Sequence, residues 1–306
     1  MKLIAAPLQG LTEAPWRHFH AALCGPADEY YAPFARLEHG SVRAKELRDM
    51  ASPLNTSLTL VPQIIARDAC EFAILADAVV AAGHSRIDLN LGCPFPPQTA
   101  KGRGAALLTR PDALAAIACE MHRRHDMAFS VKMRLGMTDP GQWRQAIDII
   151  NGMPLVCVTV HSRIAAQQYS GNVSVQAFSD IAAVCRHPMV WNGDISAPEE
   201  IAEITRTFPR LHGVMAGRGL LARPTLFREY REGRVYDSDE RLAMLRPLHD
   251  ALLAHFRHTL CGDVQILAKM RPFWEYFHPE LPRKLRKAIL KAGSMQRYTC
   301  AVADVF

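Results

Sequence analysis

The stretch IDLNLGCPFPP, Ile87–Pro97, reads as a short buried strand that stops abruptly at Gly92, Cys93 and Pro94. Helical patterns flank it, Cys70–Ala82 before and Pro111–Arg124 after, so the local order is helix, strand, helix. Working outward, the same alternation repeats. Strand candidates fall at Leu3–Ala6, Glu29–Pro33, Leu58–Ile64, Arg86–Leu91, Phe129–Arg134, Leu155–His161, Met189–Asn192 and Gly213–Ala216, with further helical stretches at Gly141–Asn151, Val175–Cys185 and Pro198–Thr207. A β-then-α rhythm implies a parallel sheet, whose strands need long crossovers. Eight such units over about 230 residues predict an α/β fold closed as a (β/α)8 TIM barrel, with a doubly wound open sheet as the alternative.

After Arg234 the strand signal ends. ERLAMLRPLHDALLAHFRHTL and LPRKLRKAILKAGSMQRY both read as helices, which predicts a barrel over residues 1–235 followed by a small C-terminal all-helical domain over 236–306. In the second helix Leu281, Leu285, Ala288 and Ala292 share one face, and Arg283, Lys287 and Lys291 form a separate basic stripe.

Composition narrows the function classes. At 49% hydrophobic and 22% charged residues the chain fits a soluble globular protein, and no apolar run approaches the ~20 residues of a membrane-spanning helix. MKLIAAPLQG is too short in apolar residues for a secretory signal, so a cytoplasmic protein, monomeric and not membrane-bound, is expected. The eight cysteines form no CxxC pair and no close Cys/His grouping, which argues against a zinc site or disulfides; no metal is expected, and most thiols should be reduced packing residues. The net charge of +6 is uneven: from Glu240 onward there are eleven Lys/Arg against six Asp/Glu. A basic tail suggests a polyanionic partner, although a solvated helix face is the commoner origin of such charge.

In a barrel of this kind chemistry sits at the C-terminal ends of the strands. Here those ends are unusually polar: APLQG, PQI, NLGCP, KMR, HSR, NGD and AGRG. Singly, Gln63 could satisfy backbone groups and His161 could be a core histidine; seven polar ends at one mouth are hard to explain as packing. The glycines after strands seven and eight let backbone N–H groups approach a phosphate, and Arg218 adds charge. A phosphate there, with Lys132 and His161 from strands five and six, suits flavin mononucleotide, Lys132 offsetting negative charge on the reduced ring.

In order along the chain, APLQGLTEAPWR, PQI, DLNLGCP, GRGAALLTRPD, VKMRLG, VTVHSR with QQYSG, WNGDI and MAGRGLLARP resemble the tRNA-dihydrouridine synthases, from residue 5 to about 227, with a fainter similarity at AKMRPFWEYF. The resemblance implies an FMN-containing barrel that NADPH reduces and that then reduces the C5=C6 bond of particular tRNA uridines, the flexible D-loop being a sensible target. It assigns flavin contacts to Pro7, Leu8, Gln63, Lys132, His161, Asn192, Gly193, Asp194, Gly217 and Arg218. Cys93 becomes the general acid and Asn90 a uracil contact; Arg163, Tyr169 and the loop Lys101–Gly104 face substrate, and the tail stripe faces tRNA. The chain departs from the family at HSRI, where HGRT is usual, at PFPPQTAK, which stands where a lysine is often seen a few residues after the cysteine, and at SGNVSVQAF, which lacks a tryptophan. These changes touch substrate loops. An FMN barrel acting on a free pyrimidine, similar to dihydroorotate dehydrogenases, is the alternative that the basic tail argues against. A flavin-binding tRNA protein without turnover and a flavin-free phosphate-binding lyase are further alternatives.

Overall fold

A computed structural model describes residues 1–306. Eight parallel staves form one ring: β1 (Lys2–Ala5), β2 (Glu29–Tyr31), β3 (Leu60–Val61 and Gln63–Ile64), β4 (Arg86–Leu91), β5 (Ala128–Arg134), β6 (Leu155–His161), β7 (Met189–Asn192) and β8 (Gly213–Ala216). β1 pairs with both β2 and β8. The third strand, expected to be continuous over Leu58–Ile64, is broken at Pro62, which has no N–H to give the ladder. Leu60–Val61 pair with β2, and Gln63–Ile64 pair with β4. Ile64 also bridges Ala35, just past β2, so the barrel closes through this interrupted stave and the open-sheet alternative falls.

Alternation along each stave explains why the sequence makes a barrel with a polar mouth. On β5, Phe129, Val131 and Met133 face the outer helices while Ser130, Lys132 and Arg134 face inward; on β4, Ile87, Leu89 and Leu91 alternate with Asp88 and Asn90 in the same way. The floor of the barrel is apolar, with Ile4, Tyr31, Val61, Cys157, Val190 and Met215 in one cluster. Polar inward residues reach below the strand ends as well, Asp88 on β4 and Ser130 on β5 both being fully buried.

One principal helix follows each stave: α1 (Ala14–Leu23), α2 (Ala44–Met50), α3 (Ala69–Ala81), α4 (Pro111–His122), α5 (Ile147–Asn151), α6 (Val175–Val184), α7 (Pro198–Thr207) and α8 (Leu226–Glu232). Four more complete the chain: α9 (Ser238–Thr259), α10 (Asp263–Met270), α11 (Arg283–Leu290) and α12 (Met295–Ala303). Asp237 accepts from the Glu240 N–H at 2.9 Å while the Glu240 carboxylate accepts from the Asp237 N–H at 3.0 Å, a reciprocal cap that starts α9. α9 lies against α1, and Leu248, Leu252, Phe273 and Trp274 of the tail join the same apolar cluster as the outer face of the barrel. Glu13, which precedes α1, takes Lys45 at 2.6 Å and also Lys269 from α10. No helix is long and apolar enough to cross a membrane.

Two helical expectations need correction. Gly141–Asn151 divides into a 3-10 turn, Gln142–Gln145, and α5. Leu281–Tyr298 is two helices, because Gly293 follows the end of α11 and Ser294 caps α12, its hydroxyl accepting from the Arg297 N–H. The packed face also differs: Leu281, Ile289 and Ala292 are buried and Leu285 half-buried, but Ala288 is exposed. Arg286 turns that face inward by donating to the carbonyls of Trp274 at 2.9 Å and His278 at 2.8 Å.

Candidate active site

A cavity of about 1140 Å³ opens over the C-terminal ends of the staves. Its wall carries Pro7 and Leu8 after β1, Gln63 on β3, Asn90 and Cys93 at the end of β4, and Lys132 on β5. His161 and Tyr169 come from β6 and its loop, Asn192, Gly193 and Asp194 from β7, and Gly217 and Arg218 from β8. Thirteen residues expected at the site from the sequence therefore meet in one cavity. Arg163, Lys101, Arg283, Lys287 and Lys291 do not line it.

Below the mouth, β3, β4 and β5 are joined by a buried polar chain. Asp88 accepts from Gln63 Nε2 at 2.7 Å and from Ser130 Oγ at 2.8 Å, and Gln63 Oε1 accepts from Asn90 Nδ2 at 2.8 Å. Burial lifts the Asp88 carboxyl to about 6, against the pull of those two hydrogen bonds. Asn90 Oδ1 accepts from the N–H groups of Gly92 at 3.0 Å and Cys93 at 2.8 Å. Asn90 therefore fixes the turn that carries the cysteine. The Cys93 thiol is pushed up by burial, while the Phe95 N–H and then Arg134 and Lys132 pull it partway back. Burial and the neighbouring Arg134 bring Lys132 down to about 8, and burial brings Arg134 down to about 10.

On the β6 side Arg163 is buried and spent. Its guanidinium pairs with Asp194 at 2.7 Å, donates to the Gly171 carbonyl, and places Nη1 3.1 Å from His161 Nε2. A guanidinium only donates, so Nε2 of His161 is the acceptor and its proton sits on Nδ1. Burial first, then Lys132, Arg134 and Arg163, hold His161 far below its usual range and neutral. Arg163, expected from the sequence to face substrate, is held here against His161 and Asp194. Asp194, whose carboxylate also accepts from the Val173 N–H at 3.0 Å, has its charge balanced before any ligand arrives.

β7 and β8 come together at the mouth, where Asn192 Nδ2 donates to the Met215 carbonyl at 2.7 Å. A Cβ on Gly219 would lie 1.7 Å from the Ile195 carbonyl oxygen, and one on Gly193, at φ +115°, would lie 2.8 Å from the His161 ring. Only glycine permits this approach of loop to loop. Arg218 stands over the Tyr169 ring, 4.0 Å from its centroid, with Arg134 at 5.5 Å. Lys132, Arg134 and Arg218 line the cavity and form no ion pair, so their positive charge can act on an anion placed there.

Several cavity residues escape sequence reasoning. Arg134 is signalled by alternation, two positions after Lys132 on the same inward face. Arg36, Arg43 and Lys45 reach the wall from the segment after β2, and Tyr276 and Arg286 from the tail, with no local signal. The His278 N–H donates to the Ala222 carbonyl at 3.3 Å, joining the tail to the β8 side of the mouth.

Comparison with known proteins agrees with this geometry. At 28% identity over 272 residues, 87% of this chain and 80% of the relative, the chain is similar to tRNA-dihydrouridine synthase B of Escherichia coli (strain K12). It is 29% identical over 251 residues, 78% of this chain and 74% of the relative, to tRNA-dihydrouridine(16) synthase of Neisseria meningitidis serogroup B (strain ATCC BAA-335 / MC58). Among solved structures, morphinone reductase superposes with a TM-score of 0.54 at 10% identity, covering 77% of this chain and 87% of that one, a likeness of fold. The profile of the family described as dihydrouridine synthase (Dus) matches residues 3–286, nearly the whole chain. With its cavity, its cysteine turn and its glycine-built mouth in place, the chain belongs to the dihydrouridine synthase family.

Proposed function

We propose that this chain reduces the C5=C6 bond of uridine in tRNA, using a bound FMN that NADPH reduces. The observation that carries the reading is the arrangement of one cavity around two unlike poles. A glycine-built cradle with Arg218 lies at β7 and β8, and the Cys93 thiol lies on the turn after β4, four staves from β8. The residues fit FMN: Gly193, Gly217 and Gly219 line the cradle with no side chains of their own, while Arg218, Lys132 and Arg134 offer unpaired positive charge to a phosphate and an anionic ring. Bound there, FMN supplies the hydride that no protein side chain can. Cys93, kept as a thiol by burial, gives the proton that C5 needs. Asn90 holds the turn from which that proton is delivered, and Lys132 stabilises negative charge nearby. The names of the curated relatives support tRNA as the substrate. A uridine must leave its stack to enter the cavity, which favours a flexible loop such as the D-loop.

Mass analysis of tRNA from a strain lacking the gene tests the reading, and dihydrouridine should be missing at mapped positions. Purified Cys93→Ala should keep its yellow FMN and its NADPH-dependent reduction, and should be reoxidised by tRNA about 10²–10⁴-fold more slowly. Unchanged dihydrouridine in the deletion strain, or a colourless protein, overturns the proposal.

A further inference from the structure

Two residues after the cysteine the chain leaves Phe95, Pro96 and Pro97 exposed in succession, and Phe95 is 58% exposed, more than any other Phe, Tyr or Trp. Three consecutive apolar residues in water mark either a defect or a docking point. This segment is rigid. Phe95 begins a helical turn, Pro96–Thr99, whose Gln98 and Thr99 N–H groups donate to the Phe95 carbonyl at 2.8 and 3.1 Å, and prolines precede and follow it. From below, buried Gln98 accepts from Arg103, which in turn grips the buried Glu71 carboxylate with two hydrogen bonds at 2.6 and 2.8 Å. Phe95 also lines the cavity, on the side away from the β7–β8 cradle. The cations on the adjoining rim are already engaged: Arg36 and Arg43 share Glu38 and Glu46, and Lys45 pairs with Glu13. What this rim offers a ligand is therefore the face of a held aromatic ring.

Resting on the tRNA reading above, we propose that Phe95 is a stacking platform for the nucleobase next to the uridine that enters the cavity. Moving one base out of its stack exposes its neighbour's face, and an aromatic ring fixed beside the entrance replaces the lost partner. Because the platform is already ordered, stacking costs little further entropy. The ring carries no hydrogen-bonding group, so the subsite accepts any base and depends little on salt.

The test is fluorescence-anisotropy binding of an unmodified tRNA transcript to the FMN-loaded protein, wild type against Phe95→Ala and Phe95→Trp, at two salt concentrations. Phe95→Ala should bind about 5- to 150-fold more weakly with an unchanged salt slope, and Phe95→Trp should restore the affinity. Transcripts with an abasic residue placed in turn 5′ and 3′ of the mapped dihydrouridine locate the contact: at one of the two positions wild type and Phe95→Ala should become equal. Equal affinity on intact tRNA overturns the proposal, as does a loss that both abasic transcripts leave undiminished, or an equally weak Phe95→Trp. If wild-type protein neither binds nor modifies tRNA, the proposed function itself has failed, an outcome distinct from any difference between variants.

Discussion

Lys132 is a cation placed among cations, and the fold keeps it at a cost. Its ammonium titrates at about 8, so relative to the unfolded chain its charge is disfavoured in the native state. The penalty is full below pH 8 and fades as pH rises from 8 toward the ordinary lysine range, since the folded protein then releases a proton that the unfolded chain still holds. Lys132→Met should therefore raise the melting temperature of the flavin-free protein at pH 7, by an amount that shrinks above pH 8. The same variant should lose FMN on gel filtration. Thermal scans across pH check the first effect and flavin absorbance the second; a variant no more stable than the parent at pH 7 contradicts the charge argument. Lys132, His161 and Cys93 were legible because each lies at a strand end whose position periodicity fixes. Arg163 was not: its fate is set by Asp194, 31 residues away, and by the Gly171 carbonyl, and nothing adjacent to it in the chain announces either.

The segment from Gly92 to Ala105 works as one element. Gly104 sits at φ +62°, and a Cβ there would come 2.9 Å from the Cys93 Cβ and 2.7 Å from its carbonyl oxygen. Gly104→Ala adds a left-handed penalty of about 1–2 kcal/mol and displaces the cysteine turn. We expect a protein that folds with a slightly lower melting temperature, takes up FMN, is reduced normally by NADPH, and is reoxidised by tRNA at least tenfold more slowly. Stopped-flow measurement of the two half-reactions separates these effects, and parental reoxidation would falsify the packing argument. The sequence reading placed Lys101–Gly104 toward substrate. Instead Arg103 points down to Glu71, 32 residues earlier, so a basic residue in a glycine-rich loop became a structural tie. By contrast, the break between α11 and α12 was written locally in Gly293 and Ser294, and a helix pattern read across them hid it.

At the scale of the whole molecule, charge and cavity occupy different faces. Arg283, Lys287 and Lys291 are exposed and stand clear of the cavity wall, whereas Arg286 between them turns inward to line it. Replacing the three with alanine should lower the salt slope of tRNA binding by up to about three without altering flavin reduction by NADPH. An identical slope marks the stripe as a solvated helix face. The barrel as a whole was readable because eight β-then-α units repeat, a signal summed over most of the chain. The way the tail caps the mouth was not, since Tyr276 and Arg286 reach the cavity only through packing between distant elements. The interrupted third stave adds a mechanical property to this architecture. Val61 accepts from the Ala32 N–H and Pro62 from the Asp88 N–H, while Gln63 accepts from the Ala35 N–H at 2.8 Å and Ala35 from the Ile65 N–H at 3.0 Å, so the β2 side stays tied across the break. The hoop is spliced rather than cut at the residue that cannot donate, and the stave keeps both neighbours. The joint lies between the rim that carries Arg36 and the strand that carries Cys93 and Phe95. The wall there is held by overlapping bonds rather than by one unbroken ladder.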